Sequence, residues 1–142
     1  MNPPRIAITG MGAVCALGTG IADITAVLVA GRTGLRPSVR LPYGEQPFGE
    51  VGADNAVLES LIEGRFSPLP RSRTALLALL AAKEAMAGTA DPRDTAVISA
   101  STVGGMDLSE DLFDDWRNGR MERAAMALEH PVYAQDRKST RL

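Results

Sequence analysis

Near its start the chain carries a short apolar run, two closely spaced glycines and then an apolar stretch of helical length. The run is Arg5–Thr9, the glycines are Gly10 and Gly12, and the apolar stretch extends from Ile21 to Ala30. Gly31 follows this stretch, and glycine at that position is typical of the end of a helix. A buried strand, a tight turn and a helix in this order open an α/β unit. We therefore expect the fold class to be α/β.

A second helix and a second strand are predicted further along the chain. Ser72 can cap a helix over Arg73–Ala87, in which leucine and alanine cover nearly the whole circumference. A helix that is apolar all round is expected to be buried inside a larger body. Thr95–Ala100 predicts a second buried strand, and we expect it to lie parallel to Arg5–Thr9 in one sheet, because a helix-bearing crossover separates them.

Three shorter elements are also indicated. Phe48–Val51 predicts a short edge strand, and Leu58–Ile62 predicts a short helix. Asp107, with Glu110 three residues later, forms a possible capping box for a helix over Leu108–Arg117.

Composition excludes some function classes. The chain has 142 residues, a formal net charge of −2 and 45% apolar residues, which fits a globular domain and not a strongly basic nucleic-acid binder. Its single cysteine, Cys15, cannot form an intrachain disulfide, which favours a cytoplasmic location. No apolar run approaches the roughly 18 residues of a membrane-spanning helix, so we expect no membrane span.

The last seven residues are interpreted as foreign to the domain. Residues 136–142 (DRKSTRL) match the translation of a common sequencing adapter, and Lys138 breaks the chain's strong preference for arginine over lysine. We therefore assign 1–135 to the folded domain and 136–142 to a non-native tail.

The candidate reactive residues do not form a catalytic set. Cys15 has apolar sequence neighbours and is interpreted as a small buried cysteine. With His130 as the only histidine, no metal site of ordinary spacing can be built, and no cofactor is expected. A dinucleotide-binding domain remains an alternative because of Gly10 and Gly12, but Cys15 stands where the fingerprint requires a third glycine.

Four segments, in order, resemble the N-terminal part of the β-ketoacyl-ACP synthases. They are the strand and turn RIAITGMGAVCALG (5–18), the stretch AGRTG (30–34), the alanine-rich helix (73–86) and AVISASTVGG (96–105). Ala16 stands where proline is common in that family. The resemblance implies part of the N-terminal half of a thiolase-like fold, layered α/β/α/β/α, in a truncated domain.

The resemblance also implies a function. The family condenses an acyl thioester with malonyl-ACP, with decarboxylation, in fatty acid or polyketide synthesis. It uses a nucleophilic cysteine and two histidines, and neither Cys15 nor His130 matches their motifs, so no catalytic residue is assigned here. Val103 corresponds to a position bordering the acyl pocket near the dimer interface, although it can equally be a loop residue that packs under the sheet.

The expected partners of the full-length protein are the acyl carrier protein and a second subunit, in a homodimer or a related heterodimer. An alternative is a non-catalytic partner subunit of the chain-length-factor type, which shares this N-terminal half but lacks the nucleophile. The 142-residue chain itself is expected to be inactive.

Overall fold

The computed structural model describes residues 6–38, 40, 44–62, 71–88, 96–101 and 104–120. These residues combine α-helices with small antiparallel sheets, which confirms a mixed α and β composition. The elements in chain order are β1 (Val14–Cys15), β2 (Gly18–Thr19), α1 (Ile21–Val29), β3 (Arg36–Pro37), β4 (Pro47–Phe48), α2 (Asn55–Ser60), α3 (Arg73–Ala85) and α4 (Met106–Arg117).

The contacts within the chain define two compact units. The first unit contains the elements from β1 to α2 together with α3 from Leu76 onward. The second unit contains the first residues of α3 and the whole of α4.

The first unit opens with a tight hairpin that leads directly into α1. β1 and β2 are antiparallel, and Cys15 lies opposite Gly18. The hairpin is closed by the Gly20 N–H, which donates to the Ala13 carbonyl at 2.8 Å. Gly20 has a φ of 97°, a value that only glycine adopts readily, so the chain can turn there into the first residue of α1.

The predicted end of α1 is confirmed. Gly31 has a φ of 65°, and its N–H donates to the Leu28 carbonyl while the Arg32 N–H donates to the Val27 carbonyl. This pair of bonds is the Schellman motif, which satisfies carbonyls that the helix itself leaves unpaired.

The short elements form close to their predicted positions, with different bounds. β4 covers Pro47–Phe48 and pairs antiparallel with β3, so the edge strand predicted over Phe48–Val51 is shorter and begins one residue earlier. α2 begins at Asn55, because the Asp54 carboxylate accepts the Val57 N–H at 2.8 Å and caps the helix there.

The start of α3 is capped by two side chains. The predicted cap is confirmed, since the Ser72 hydroxyl accepts the Ala75 N–H at 3.2 Å. The capping box predicted for α4 is wrong, because α4 begins at Met106 and Asp107 already lies inside it. The Asp107 carboxylate instead accepts the Arg73 N–H at 2.7 Å, so it caps the first turn of a different helix.

The core of the first unit is small. Leu58, Leu76 and Leu80 are its buried hydrophobic residues among those described. Partly buried apolar residues surround them, namely Val14, Ala53, Ile62 and Leu77. α3 is therefore buried along one face and not all round as predicted, because only one side of it meets α2 and the hairpin.

The two predicted parallel strands are wrong for the residues that the structure describes. Residues 6–9 and 96–100 are neither in a strand nor paired with each other, and both segments are exposed. A strand has no hydrogen bonds of its own, and the described part of the chain supplies no neighbouring strand to complete them. Apolar composition alone was therefore not sufficient to form the sheet.

Several predictions lie outside the described residues: Val103, His130 and the 136–142 tail. Among the helices that are described, none has both the length and the apolar character that crossing a bilayer requires.

Candidate functional site

The glycine pair of the N-terminal motif lies against the backbone of α3. A methyl carbon built on Gly12 would overlap the Ala81 carbonyl oxygen and lie 2.9 Å from the Ala85 nitrogen. One built on Gly10 would overlap the Ala85 carbonyl oxygen. Any side chain at either position would push this segment away from the helix. Glycine is thus required here for close approach of two backbones.

Glu84, which lies in α3, binds the same region through two hydrogen bonds. One carboxylate oxygen, Oε2, accepts the Ala13 N–H at 3.1 Å, and the other, Oε1, accepts the Ile21 N–H at 2.7 Å. The first bond holds the start of the hairpin and the second holds the first residue of α1. One carboxylate therefore satisfies a donor of the helix N-terminus and places a negative charge at its positive end.

A shallow apolar groove lies beside the hairpin. Its volume is about 430 Å³, and its walls come from the hairpin, the end of α1 and the segments around β3 and β4. The lining residues are Cys15, Ala16, Leu17, Leu28, Arg32, Thr33, Gly34, Leu35 and Gly49.

The chemistry available in this groove is limited. Cys15 lies in β1 and is half-buried, so it is less buried than the predicted small buried cysteine. No carboxylate or imidazole lines the described groove, so Cys15 has no neighbouring base there to generate a thiolate. The described residues also contain no group of three or more histidine, cysteine or acidic side chains that could hold a metal ion. Most of the described lining of the groove is thus suited to apolar contact.

The Glu84 carboxylate argues against the dinucleotide-binding alternative. In that motif the N-terminus of the first helix binds a pyrophosphate through its free N–H groups. Here the Ile21 N–H at this end already donates to Glu84, and a second anion would meet the negative charge of that carboxylate. The two glycines serve the packing against α3 instead.

The sequence patterns do not predict the long-range contacts of two acidic residues, Glu84 and Asp107. The alanine-rich pattern does not single out Glu84, and the capping-box pattern assigns Asp107 to its own helix. A carboxylate within a largely apolar helix, as at Glu84, is a signal for such a contact, because burial of this group requires hydrogen-bond donors. The partners themselves, 63 and 71 residues away in sequence for Glu84 and 34 for Asp107, could not have been identified from local patterns.

Comparisons of the chain with protein-family models, with curated proteins and with solved structures give no match.

Proposed function

We propose that this chain is the N-terminal part of a β-ketoacyl-ACP synthase, with the incomplete thiolase-like fold that this implies. The observation that carries the proposal is the contact of the Thr-Gly-Met-Gly turn with the alanine-rich helix. Both segments resemble the family in sequence, and Gly10 and Gly12 approach the α3 backbone at Ala81 and Ala85. The close approach of the two backbones explains why both motifs have small residues at these positions.

A second contact supports the same proposal. Gly34 ends the AGRTG segment, and a methyl carbon built on it would lie 2.7 Å from the carbonyl carbon of Ala16. Ala16 belongs to the first family-like segment. The first family-like segment therefore contacts two of the other three, at glycines where an added side chain would clash.

In the proposed enzyme, these residues serve as scaffold. The close-packed turn and α3 would support the central sheet, while the cysteine that accepts the acyl group and the two histidines that assist decarboxylation would come from sequence beyond this chain. A thiolate at a helix N-terminus would attack the acyl thioester and accept the acyl group, the C–S bond of the primer would break with release of its thiol, and backbone N–H groups would stabilise the oxyanion. Val103 would border the acyl pocket, and an acyl carrier protein and a second subunit would be the partners.

The second candidate is a non-catalytic subunit of the chain-length-factor type. It would share the contacts of Gly10, Gly12 and Gly34, so nothing in these contacts distinguishes it from the synthase. The distinction depends on the nucleophile. The gene sequence beyond codon 135 tests this directly: a cysteine at the end of the next core strand supports the synthase, and another residue there supports the non-catalytic subunit.

Activity measurements test the proposal itself. The full-length protein, with the acyl carrier protein and an acyl primer, is expected to release CO₂ from malonyl-ACP and form the 3-oxoacyl product. The 142-residue chain is expected to do neither, and Cys15→Ala in the full-length protein is expected to leave the rate unchanged. A full-length protein that carries the cysteine and both histidines but neither condenses nor decarboxylates would refute the synthase. Decarboxylation by the 142-residue chain, abolished by Cys15→Ala, would make Cys15 catalytic.

A further inference from the structure

One side of α4 exposes large apolar side chains. Met106, Phe113 and Trp116 are 52%, 56% and 56% exposed, respectively. They are separated by seven and three residues, so they share one side of the helix. The Phe113 and Trp116 rings are in contact, with centroids 5.8 Å apart and planes tilted by 32°. We refer to Met106, Phe113 and Trp116 as the α4 aromatic face.

The α4 aromatic face is distinct from the polar contacts of the helix. Asp107 accepts the Arg73 N–H at the start of α3, and the buried Asp115 pairs with Arg120 at 2.7 Å just after the end of α4. Phe113 and Trp116 lie away from Asp115 around the helix. Exposed aromatic pairs of this kind are characteristic of binding surfaces, because aromatic side chains contribute a large contact area with little loss of conformational freedom.

The charge of α4 specifies the kind of partner. From Met106 to Arg117 the helix carries five acidic residues and one basic residue, a net charge of −4. Asp107 and Asp115 are used in contacts within the unit. The remaining three, Glu110, Asp111 and Asp114, are exposed on the helix that carries the aromatic face. A second copy of this chain would bring a second acidic helix, whereas a cationic partner would match the charge.

We propose that the α4 aromatic face binds a cationic amphipathic segment of another polypeptide. Apolar side chains of that segment contact Phe113 and Trp116, and its lysine or arginine side chains pair with Glu110 and Asp114. This is the mode in which an amphipathic helix places its apolar side on a hydrophobic surface. The proposal rests on α4 alone and is independent of the proposed condensing activity.

Trp116 allows a direct test, because it is the only tryptophan in the chain. The probe is a synthetic helical peptide with leucine on one side and lysine on the other, titrated into the full 142-residue chain. Its counterpart has every lysine replaced by glutamate. We expect the cationic peptide to shift the Trp116 emission to shorter wavelength in a saturable manner. The acidic peptide is expected to bind at least tenfold more weakly, and added salt is expected to weaken binding of the cationic one.

Variants separate the two parts of the surface. Phe113→Ser and the double variant Glu110→Lys with Asp114→Lys are each expected to weaken binding of the cationic peptide about tenfold. The control is Val29→Ser, which removes an 83% exposed apolar side chain from α1 and is expected to leave binding unchanged. Circular dichroism of each variant checks that the helices are retained.

Four outcomes would overturn the proposal. They are an equal response to the two peptides, a response that neither α4 variant reduces, an emission shift on concentrating the protein alone, and an emission shift with phosphatidylserine vesicles but not with the cationic peptide. The third outcome would indicate a second copy of the chain as the partner, and the fourth would indicate a lipid surface.

Discussion

Leu76 in α3 and Ile98 in the segment 96–100 are both large aliphatic residues within strongly apolar stretches. Leu76 is fully buried, whereas Ile98 is 97% exposed. The same contrast separates Leu80, which is 7% exposed, from Ile6, which is 96% exposed. Apolar content therefore does not explain which of the two regions, α3 or the pair of extended runs, enters the core.

The difference follows from where each region obtains its backbone hydrogen bonds. A helix such as α3 forms its backbone hydrogen bonds internally. Its apolar side chains can therefore pack against α2 and the hairpin without a partner for the backbone. An extended run needs a neighbouring strand for the same purpose. The described residues 6–9 and 96–100 have no such neighbour, and their side chains remain exposed. Substitutions in the two regions should therefore have very different effects.

The largest effect is expected from Leu76→Ala. Removing this fully buried side chain leaves a cavity beside Leu58 and Leu80, and should lower the free energy of unfolding by about 3 kcal/mol. Ile98→Ala is the matched control, and should change it by less than about 0.5 kcal/mol because the side chain is already in water. Urea denaturation followed by circular dichroism measures both. Equal losses for the two variants would show that residue 98 is buried in solution.

A somewhat smaller effect is expected from Gly12→Ala. The added methyl group would overlap the Ala81 carbonyl, so α3 or the turn must move, at a cost of about 2 kcal/mol. Gly88→Ala is the control, since its methyl group would meet no atom within 4 Å. That control should be neutral or slightly stabilising. If Gly12→Ala were equally harmless in urea denaturation, the close contact between the turn and α3 would be refuted.

Glu84→Ala should destabilise the chain by about 1–2 kcal/mol. It removes an acceptor of the Ala13 and Ile21 N–H groups, and this region is only partly buried, so water replaces part of the loss. Glu84→Gln keeps one amide oxygen and should lose less. Glu45→Ala, at an exposed position, serves as the control. Thermal denaturation should rank the melting temperatures in the order Glu45→Ala, Glu84→Gln, Glu84→Ala, from highest to lowest. The reverse order for the two Glu84 variants would contradict the assigned bonds.

The smallest effect is expected from Ser72→Ala. Its hydroxyl caps the first turn of α3, and loss of such a cap costs about 1 kcal/mol. The Arg73 N–H keeps its bond to Asp107, so the helix start is only partly uncapped. Ser101→Ala, at an exposed site, is the control and should leave the free energy of unfolding unchanged. The test compares the urea concentrations at the midpoint of unfolding. If Ser72→Ala lowers this midpoint no more than Ser101→Ala does, Asp107 alone caps the helix.

The helices were predictable to the extent that their signals are local. The bounds of α1 and the cap of α3 depend on Gly31 and Ser72, which lie within a few residues of the hydrogen bonds that they determine. The same local pattern predicts α4 but misassigns Asp107, because its carboxylate accepts an N–H 34 residues away and not one in the first turn of its own helix. The predicted sheet depends on apolar runs alone. Such runs indicate that a strand could form, but they do not identify the neighbouring strand that would complete its hydrogen bonds.

What the sequence alone determined is the set of local backbone requirements: where the chain can turn and where a helix begins or ends. Gly31 and Ser72 illustrate these, since each acts through its own geometry or on an N–H group within three residues. What only the tertiary structure decided is which group satisfies which donor, as for Glu84, and which apolar residues are buried, as for Leu76 and Ile98. The physical reason is that hydrogen-bond satisfaction and burial depend on atoms distant in sequence, and their spacing is fixed only when the chain folds.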